Sequence, residues 1–597
     1  MTHAPTDIKT FDPIAFGQRF TTLTERLYKA MEKIAPKAFD ASLGDQNYDP
    51  FNLKPAILEF FEKAWKDPDS LLAAQVDLLQ DNLLALHDSW YAFLNGEYLD
   101  ENDTSTKDKR FRNPLWHTNP YFRFARETYQ ATAQWMLNQI YARADIDEHT
   151  RKKLLFFTQQ YLDAIAPSNF PFFNPDVIQR MIDTGGLSIL EGIENLIEDI
   201  EKSGGKWGLT TTDKSAFKVG KNLAITKGSV IYQNDLMQLI QYAPTTDKVA
   251  KEPLLIIPPW INKYYILDMR QDNSFVKWLV DQGHTVFIIS WANPTETHRD
   301  IDFDDYMTMG VFEAVTAIQK ATGEKEMNVI GYCIGGTLLT GTLAYLEATK
   351  KTNPFKSATF LTTLVDFENA GDLGVFIDDA QVDLIDHQMK ETGYMPAEIM
   401  KATFSLLRAN DLIWSFVINN YLMGADPFPF DLLFWNDDSV NIPEKCHSFY
   451  LRNMYLKNNL IKKDAIKFKD VPLDITKIKT PSYFLSSKED HIAPWKTTYS
   501  ATQLFSGDCT FTLAASGHIA GVVNPPSANK YTHWTSGKNS KSPDIWFRSA
   551  EQKDGSWWPH WQKWISKFES TQIPARKPKN EIEPAPGSYV IGKTDRD

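Results

Sequence analysis

Cysteine is scarce in this chain, which holds Cys333, Cys446 and Cys509 and no others among 597 residues. So few thiols cannot build the disulfide framework of a small secreted protein, so we expect a reducing compartment. No apolar run reaches the ~18 residues of a spanning helix, and the first residues lack the basic and apolar parts of a signal peptide. There is no sustained basic run and the net charge is -13, which argues against a nucleic-acid partner. The sequence therefore predicts a cytoplasmic globular protein with no transmembrane segment.

Residues 1–204 have the pattern of a mostly helical N-terminal domain. An apolar stripe at steps of three and four runs through Phe16, Phe20, Leu23, Leu27, Met31 and Ile34. Such a stripe is most often the core-facing side of a helix, and the alternative is a surface that docks on a partner or an apolar particle. A polar patch around Gly204-Gly205 is the predicted boundary.

From residue 205 to 597, short apolar runs alternate with helical patterns, which is typical of a mostly parallel sheet. The predicted strands lie at 254–257, 285–289, 328–332, 358–361 and 483–485. Residues from about 365 to 470 show little strand alternation and are rich in Phe, Trp, Leu and Met. We expect this stretch to be an insertion that caps an active site, and the alternative is a helical appendage with its own core.

One stretch combines strand, turn and helix signals, namely Asn328-Val329-Ile330-Gly331-Tyr332-Cys333-Ile334-Gly335-Gly336. An apolar run into G-x-C-x-G-G, followed by a helix-compatible run, is typical of the nucleophile elbow of α/β hydrolases. The fold class is thus α/β, an α/β-hydrolase fold with a large cap insertion after a helical N-terminal domain. A Cys at a helix N-terminus is favoured as the thiolate nucleophile. The alternative is a buried Cys at the end of a Gly-rich strand.

The acid and the histidine of a catalytic triad follow the nucleophile in chain order in this fold. Asp490 comes directly after the predicted strand at 483–485, whereas the rivals Asp366 and Asp411 lie in or before the insertion. His518 follows another strand-like run, so we expect it to be the base. His491 precedes that run and is given a supporting or merely structural role.

The oxyanion hole is expected to combine the backbone N–H of Ile334 with a second one from Trp260 or Ile261.

A Cys nucleophile forms a thioester, which can pass its acyl group to an alcohol. An aromatic cap that excludes water would favour such transfer over hydrolysis. A Cys-based hydrolase remains open on these grounds.

The chain resembles the class I polyhydroxyalkanoate synthases almost from end to end. The resemblance rests on Ala166-Pro167-Ser168-Asn169-Phe170, Pro258-Pro259-Trp260-Ile261-Asn262-Lys263-Tyr264-Tyr265, Gly331-Tyr332-Cys333-Ile334-Gly335-Gly336, Phe430-Asp431-Leu432-Leu433-Phe434-Trp435-Asn436, Asp490-His491-Ile492-Ala493, Gly517-His518-Ile519-Ala520-Gly521 and Gly555-Ser556-Trp557-Trp558-Pro559. The family's catalytic Cys, Asp and His fall on Cys333, Asp490 and His518.

This resemblance implies an acyltransferase that polymerises (R)-3-hydroxyacyl-CoA into polyester with release of CoA. It implies short acyl chains, 3-hydroxybutyryl-CoA above all and up to six carbons, with no metal and no cofactor beyond the CoA of the substrate. It also implies a homodimer through the cap, a place on the surface of polyester granules, and granule-associated proteins as partners. The alternatives are a Cys-nucleophile thioesterase or lipase-like hydrolase, and a non-enzymatic granule or scaffold protein.

Overall fold

The computed structural model describes residues 13–43, 49, 51–95, 108–203 and 208–592. They form two compact units, one of Met1–Asp213 with Phe404–Phe428 and one of Lys214–Thr403 with Pro429–Asp597.

The first unit is helical, as expected for the N-terminal region. Its helices are α1 (Pro13–Leu43), α2 (Lys54–Ala64), α3 (Pro68–Asn95), α4 (Leu115–Thr118), α5 (Pro120–Tyr141), α6 (Glu148–Ala164), α7 (Pro175–Asp183) and α8 (Leu187–Lys202). Two π-helical turns, at Asn410–Trp414 and Val417–Leu422, belong to the same unit.

The predicted apolar stripe lies on α1 and faces α8 only in part. Leu23 is buried against Leu190 and Ile197 of α8, with Phe16 packed beside them. Phe20, however, is 46% exposed. The side chains of Met31 and Ile34 lie outside the described residues.

The second unit contains the sheet. Its strands are β1 (Gly228–Gln233), β2 (Met237–Tyr242), β3 (Lys248–Ala250), β4 (Leu254–Ile257), β5 (Val286–Trp291), β6 (Met327–Tyr332), β7 (Phe355–Leu361), β8 (Tyr394–Met395), β9 (Ile442–Pro443), β10 (Lys467–Phe468), β11 (Val471–Pro472), β12 (Ser482–Ser487), β13 (Cys509–Ala514), β14 (Thr532–Thr535), β15 (Glu551–Asp554), β16 (Gln572–Pro574) and β17 (Glu583–Pro584).

Its helices are α9 (Phe275–Asp281), α10 (Phe303–Asp305), α11 (Glu313–Thr322), α12 (Ile334–Thr349), α13 (Asp379–Thr392), α15 (Asp431–Asp437), α16 (Glu444–Tyr450), α17 (Trp495–Thr498), α18 (Ala501–Leu504), α19 (Pro543–Ser549), α20 (Trp558–Ile565) and α21 (Ser588–Ile591). One further helix, α14 (Ala397–Leu406), crosses the boundary between the two units.

Within the described residues the main sheet has eleven strands in the order β15-β14-β13-β12-β7-β6-β4-β5-β2-β1-β17. The six central strands, from β13 to β5, are parallel, and the strands on both flanks are antiparallel. The predicted α/β-hydrolase class and its predicted strands are confirmed.

Both faces of the sheet are covered, which explains why its central strands are continuously apolar. In β4, Leu255 and Ile257 join one hydrophobic cluster with α11 and α12. Leu254 and Ile256 point the other way, into a second cluster with α9 and α20.

The insertion is divided between the two units. The sequence prediction kept residues 365–470 together in a catalytic domain that began at 205, but Phe404–Phe428 groups with the N-terminal helices and the units divide after Asp213. Residues 404–428 group with the N-terminal helices because long-range hydrogen bonds join them. The Tyr421 hydroxyl donates to Asp199 (2.6 Å), and the Asn420 amide donates to the Thr210 carbonyl (2.8 Å). The predicted boundary at Gly204-Gly205 lies outside the described residues.

Candidate active site

Cys333 stands in the sharp turn between β6 and α12. Its backbone angles are φ 53° and ψ -124°, a conformation that non-glycine residues rarely adopt. Its N–H donates to the Leu361 carbonyl at the end of β7 (2.9 Å), and its own carbonyl accepts from the Gly336 N–H (2.9 Å). The strained turn is thus held from both sides, and the thiol is partly exposed at the carboxyl end of the central strand.

The glycines of the motif allow this turn to pack against its neighbours. A Cβ on Gly335 would lie 2.3 Å from the Ile257 carbonyl oxygen at the end of β4. A Cβ on Gly336 would lie 2.0 Å from Oγ1 of Thr363. The close approach brings the N-terminus of α12 against the loop that follows β4.

Asp490 lies in the loop after β12 with its side chain fully enclosed. Its Oδ1 accepts from the backbone N–H groups of Ile492 and Ala493, both at 2.9 Å. Its Oδ2 accepts from Nδ1 of His518 at 2.7 Å. Because both oxygens are occupied, the carboxylate holds the imidazole in one orientation.

His518 follows β13, and its ring stacks on that of Tyr332, with 5.8 Å between the centroids. Burial opposes protonation of His518, but the charge of Asp490 and that of a Cys333 thiolate overcome it and raise the pKa of the imidazole well above its usual value. Cys333 is thus close enough to His518 for the two side chains to interact electrostatically. With Nδ1 bound to Asp490, Nε2 is the nitrogen left for the thiol. The fold therefore brings the three predicted triad residues together.

The remaining predicted residues lie around this cluster. Ile334 is the first residue of α12, so its N–H is at the helix N-terminus beside Cys333. Trp260 is 1% exposed and stacks on Tyr306, with 4.2 Å between the ring centroids, and the Ile261 carbonyl accepts from the N–H of Val440 (3.2 Å). The assignment of oxyanion donors stays a prediction.

His491 and the rival acids have other partners. The His491 carbonyl accepts from the Asp372 N–H (3.2 Å), so its backbone contributes to the Asp490 loop. Asp366 accepts from the Asn458 amide (2.7 Å). Asp411 pairs with Arg408 one turn away in the first unit.

Two tyrosines of the insertion and Tyr332 are near the thiol and were not predicted. Burial raises the pKa of Tyr450 and Tyr455, and the charge of Cys333 adds to the effect. Their rings meet edge to face, with 5.5 Å between the centroids. Tyr332 could have been singled out as the residue before the nucleophile, but the sequence carries no signal that brings residues 450 and 455 to the elbow.

Among the described residues, no group of His, Cys, Asp and Glu could hold a metal ion. None of the helices in the described ranges is both long and apolar enough to cross a membrane.

A strained Cys elbow backed by a hydrogen-bonded His–Asp pair at the carboxyl ends of parallel strands defines the class, an α/β-hydrolase-fold protein built for covalent acyl chemistry. Family models agree, since the alpha/beta hydrolase fold matches residues 253–525 and the "Poly-beta-hydroxybutyrate polymerase (PhaC) N-terminus" matches residues 107–279.

Curated relatives narrow the class to one family. The chain is 43% identical to the "Poly(3-hydroxyalkanoate) polymerase subunit PhaC" of Rhizobium meliloti, over 97% of this chain and 95% of that protein. It is 45% identical to the "Poly(3-hydroxyalkanoate) polymerase" of Methylorubrum extorquens, over 88% of this chain and 87% of that protein. It is 40% identical to the "Poly(3-hydroxyalkanoate) polymerase subunit PhaC" of Cupriavidus necator, over 84% of this chain and 86% of that protein. The chain belongs to the poly(3-hydroxyalkanoate) polymerase family, and the prediction of an acyltransferase is confirmed.

Proposed function

We propose that this chain polymerises (R)-3-hydroxyacyl-CoA into polyester, with release of CoA, by covalent catalysis at Cys333. The observation that carries the proposal is the convergence of Cys333, His518 and Asp490, with 2.7 Å between His518 Nδ1 and the Asp490 carboxylate, in a chain of the polymerase family.

The first half-reaction loads the enzyme. His518 takes the thiol proton, and the thiolate attacks the thioester carbonyl of the substrate. The carbon–sulfur bond to CoA then breaks, CoA leaves as a thiol with the proton from the imidazolium, and the acyl group stays on Cys333 as a thioester. Asp490 stabilises the imidazolium, in accordance with the raised pKa of His518.

The second half-reaction extends the chain. His518 takes the proton of a hydroxyl at the end of an acyl group or growing chain, and the alkoxide attacks the thioester. An ester bond forms, the bond to the Cys333 sulfur breaks, and the thiol is restored by the proton from His518. In both halves the negative oxygen is stabilised by N–H donors from Ile334 and from Trp260 or Ile261.

The substrate is proposed to be short, 3-hydroxybutyryl-CoA first and acyl groups of up to six carbons, on the strength of the family resemblance. The reaction needs no separate cofactor, because CoA enters as part of the substrate and leaves as the product.

The partners are proposed on the same ground. A second copy of the chain would contact the insertion, and the enzyme would work in the cytoplasm on the surface of a polyester granule, with granule-associated proteins beside it. The 46% exposed Phe20 on α1 is compatible with such a surface.

The test is incubation of the purified protein with (R)-3-hydroxybutyryl-CoA, with both CoA release and the product followed. Insoluble polyester with CoA is the expected result. Free 3-hydroxybutyrate would make the enzyme a thioesterase and contradict the proposal.

Replacement of the nucleophile is the second part of the test. Cys333→Ala should abolish CoA release, because it removes the thiol that is proposed to carry the acyl chain as a thioester. Cys509→Ala is the matched control and should keep the activity. CoA release by Cys333→Ala would refute the nucleophile assignment.

A further inference from the structure

The loop after β4, which would supply the second oxyanion donor, is bonded to the last part of the insertion. The Val440 N–H donates to the Ile261 carbonyl (3.2 Å), and the indole N–H of Trp435 donates to the Lys263 carbonyl (2.7 Å). These bonds fix the backbone of the loop at Ile261 and Lys263.

The side chain of Lys263 lies at the end of this loop and is 4% exposed. Its Nζ is 2.7 Å from Oδ1 of Asp438 and donates to the carbonyl of Val590 at 2.6 Å. The hydroxyl of Tyr265 donates to the other oxygen of Asp438 at 3.0 Å. A buried ammonium is tolerated only when it is paired in this way, so the loss of one partner leaves the others with an uncompensated polar group.

The Val590 carbonyl comes from the opposite end of the second unit's chain. The segment that carries it is attached by the pairing of β17 with β1. The Tyr264 hydroxyl donates to the Pro586 carbonyl (3.3 Å), and the Tyr589 hydroxyl donates to the Asn234 carbonyl (2.7 Å). The Val590 side chain is 1% exposed. This buried attachment places the carbonyl beside Lys263.

We propose that Lys263 is a positioning residue for the loop after β4, which would supply the second oxyanion donor. The C-terminal segment 583–592 supports catalysis through its contact with Lys263. Lys263 joins three segments at one buried charge: the loop after β4, the insertion at Asp438 and the chain end at Val590. The inference rests on the proposed function for the role of the loop, and it adds that the chain end is part of the support of the active site.

The test is a double-mutant cycle between Lys263→Met and a chain that ends at Gly587. Each change alone should lower kcat for CoA release from (R)-3-hydroxybutyryl-CoA by about 100-fold, the usual cost of a donor displaced by roughly 1 Å. KM should change by less than about threefold, because the donor acts mainly in the transition state. If the segment acts through Lys263, the truncation should add little in the Lys263→Met background. Fully additive losses would overturn the proposal.

The matched control is Lys356→Met, which breaks another largely buried pair, with 2.7 Å between Lys356 and Glu252. We expect a comparable loss of stability and an unchanged kcat. Iodoacetamide labelling of Cys333 should keep its wild-type rate in every variant, since the His518–Asp490 pair lies outside the Lys263 contacts. A fall in kcat with Lys356→Met equal to that with Lys263→Met would show general destabilisation and refute the positioning role.

Hydrogen exchange separates this inference from the proposed function. Backbone amides at 260–263 should exchange at least about tenfold faster in Lys263→Met and in the truncated chain, while those of β6 keep their protection. This readout does not depend on turnover. The absence of CoA release by the wild-type chain would refute the proposed function. Unchanged hydrogen exchange at 260–263 in Lys263→Met and in the truncated chain would instead refute the positioning role of Lys263.

Discussion

The three thiols of the chain differ in their surroundings and therefore in reactivity. Burial raises the pKa of Cys446 well above its usual value and that of Cys509 to about 12. Cys333 is partly exposed at a helix N-terminus and is close enough to His518 for the two side chains to interact electrostatically. Iodoacetamide at about pH 7 should thus modify one thiol per chain, Cys333, because the thiolate is the reactive form. Mass spectrometry of the labelled peptides measures this, and modification of Cys509 ahead of Cys333 would contradict it.

Asp490→Asn tests how the two half-reactions depend on the base. Removal of the carboxylate charge lowers the pKa of His518, since Asp490 is the main group that raises it. An alcohol is far harder to deprotonate than a thiol, so chain extension should slow more than the first acylation. Single-turnover CoA release measures the first acylation, and steady-state polymer formation measures chain extension. Equal losses would argue against His518 as the base in extension.

Asp490→Asn should also change the way in which the unfolding free energy depends on pH. The folded-state pKa of His518 is raised, so its stabilising interaction with Asp490 is fully present below the unfolded-state pKa of about 6.5 and is lost as pH rises through the folded value. The gap in unfolding free energy between wild type and Asp490→Asn should therefore narrow as the pH rises above about 6.5 and through the raised folded-state pKa of His518. Denaturant titration across that range measures it, and a gap that widened with pH would have the wrong sign.

Between elements, the junction of β4, β6 and α12 depends on glycine. The Ile257 carbonyl that would face a Cβ on Gly335 at 2.3 Å is backbone and cannot turn away. Gly335→Ala should thus lower the unfolding free energy by about 1–3 kcal/mol, and it should displace the Ile334 N–H and reduce kcat. Gly374→Ala is the control, since nothing lies within 4 Å of its Cβ position. Denaturant unfolding and CoA release measure both variants, and equal effects would contradict the packing argument.

The pairing of elements was predictable from sequence wherever the signal was local. The apolar run into β6, the glycines of the turn and the helix-compatible run of α12 are contiguous, so the elbow could be predicted. The antiparallel flanks β1, β2, β14 and β15 were not predicted. The chain after residue 571 adds β16 to β3 and β17 to β1 and buries Val590. Short strands of this kind form because a sheet edge is available, which no local pattern records.

At the scale of the whole molecule, the insertion supplies part of the helical unit. A chain of residues 214–597 would keep Phe404–Phe428 without the helices it packs on, including the Asp199 carboxylate that accepts from Tyr421. We expect that chain to give a much lower soluble yield, because apolar surface and buried polar groups lose their partners. Replacement of 404–428 by a short Gly-Ser linker in the same truncated chain should restore solubility. The soluble fraction and the sedimentation profile measure this, and an equal yield with and without the linker would argue against shared packing.

The sequence by itself determined the fold class, the central parallel strands and the chain order of Cys333, Asp490 and His518, because each depends on a local pattern or on the order of strands in this fold. Only the tertiary structure decided which of these side chains meet, that Phe404–Phe428 belongs with the N-terminal helices, and that Lys263 is buried between Asp438 and Val590. Those outcomes join residues that are 28 to 327 positions apart, from Asp490 and His518 to Lys263 and Val590. Burial and charge pairing favour such contacts as the chain folds, and the local sequence around each residue does not specify its partner.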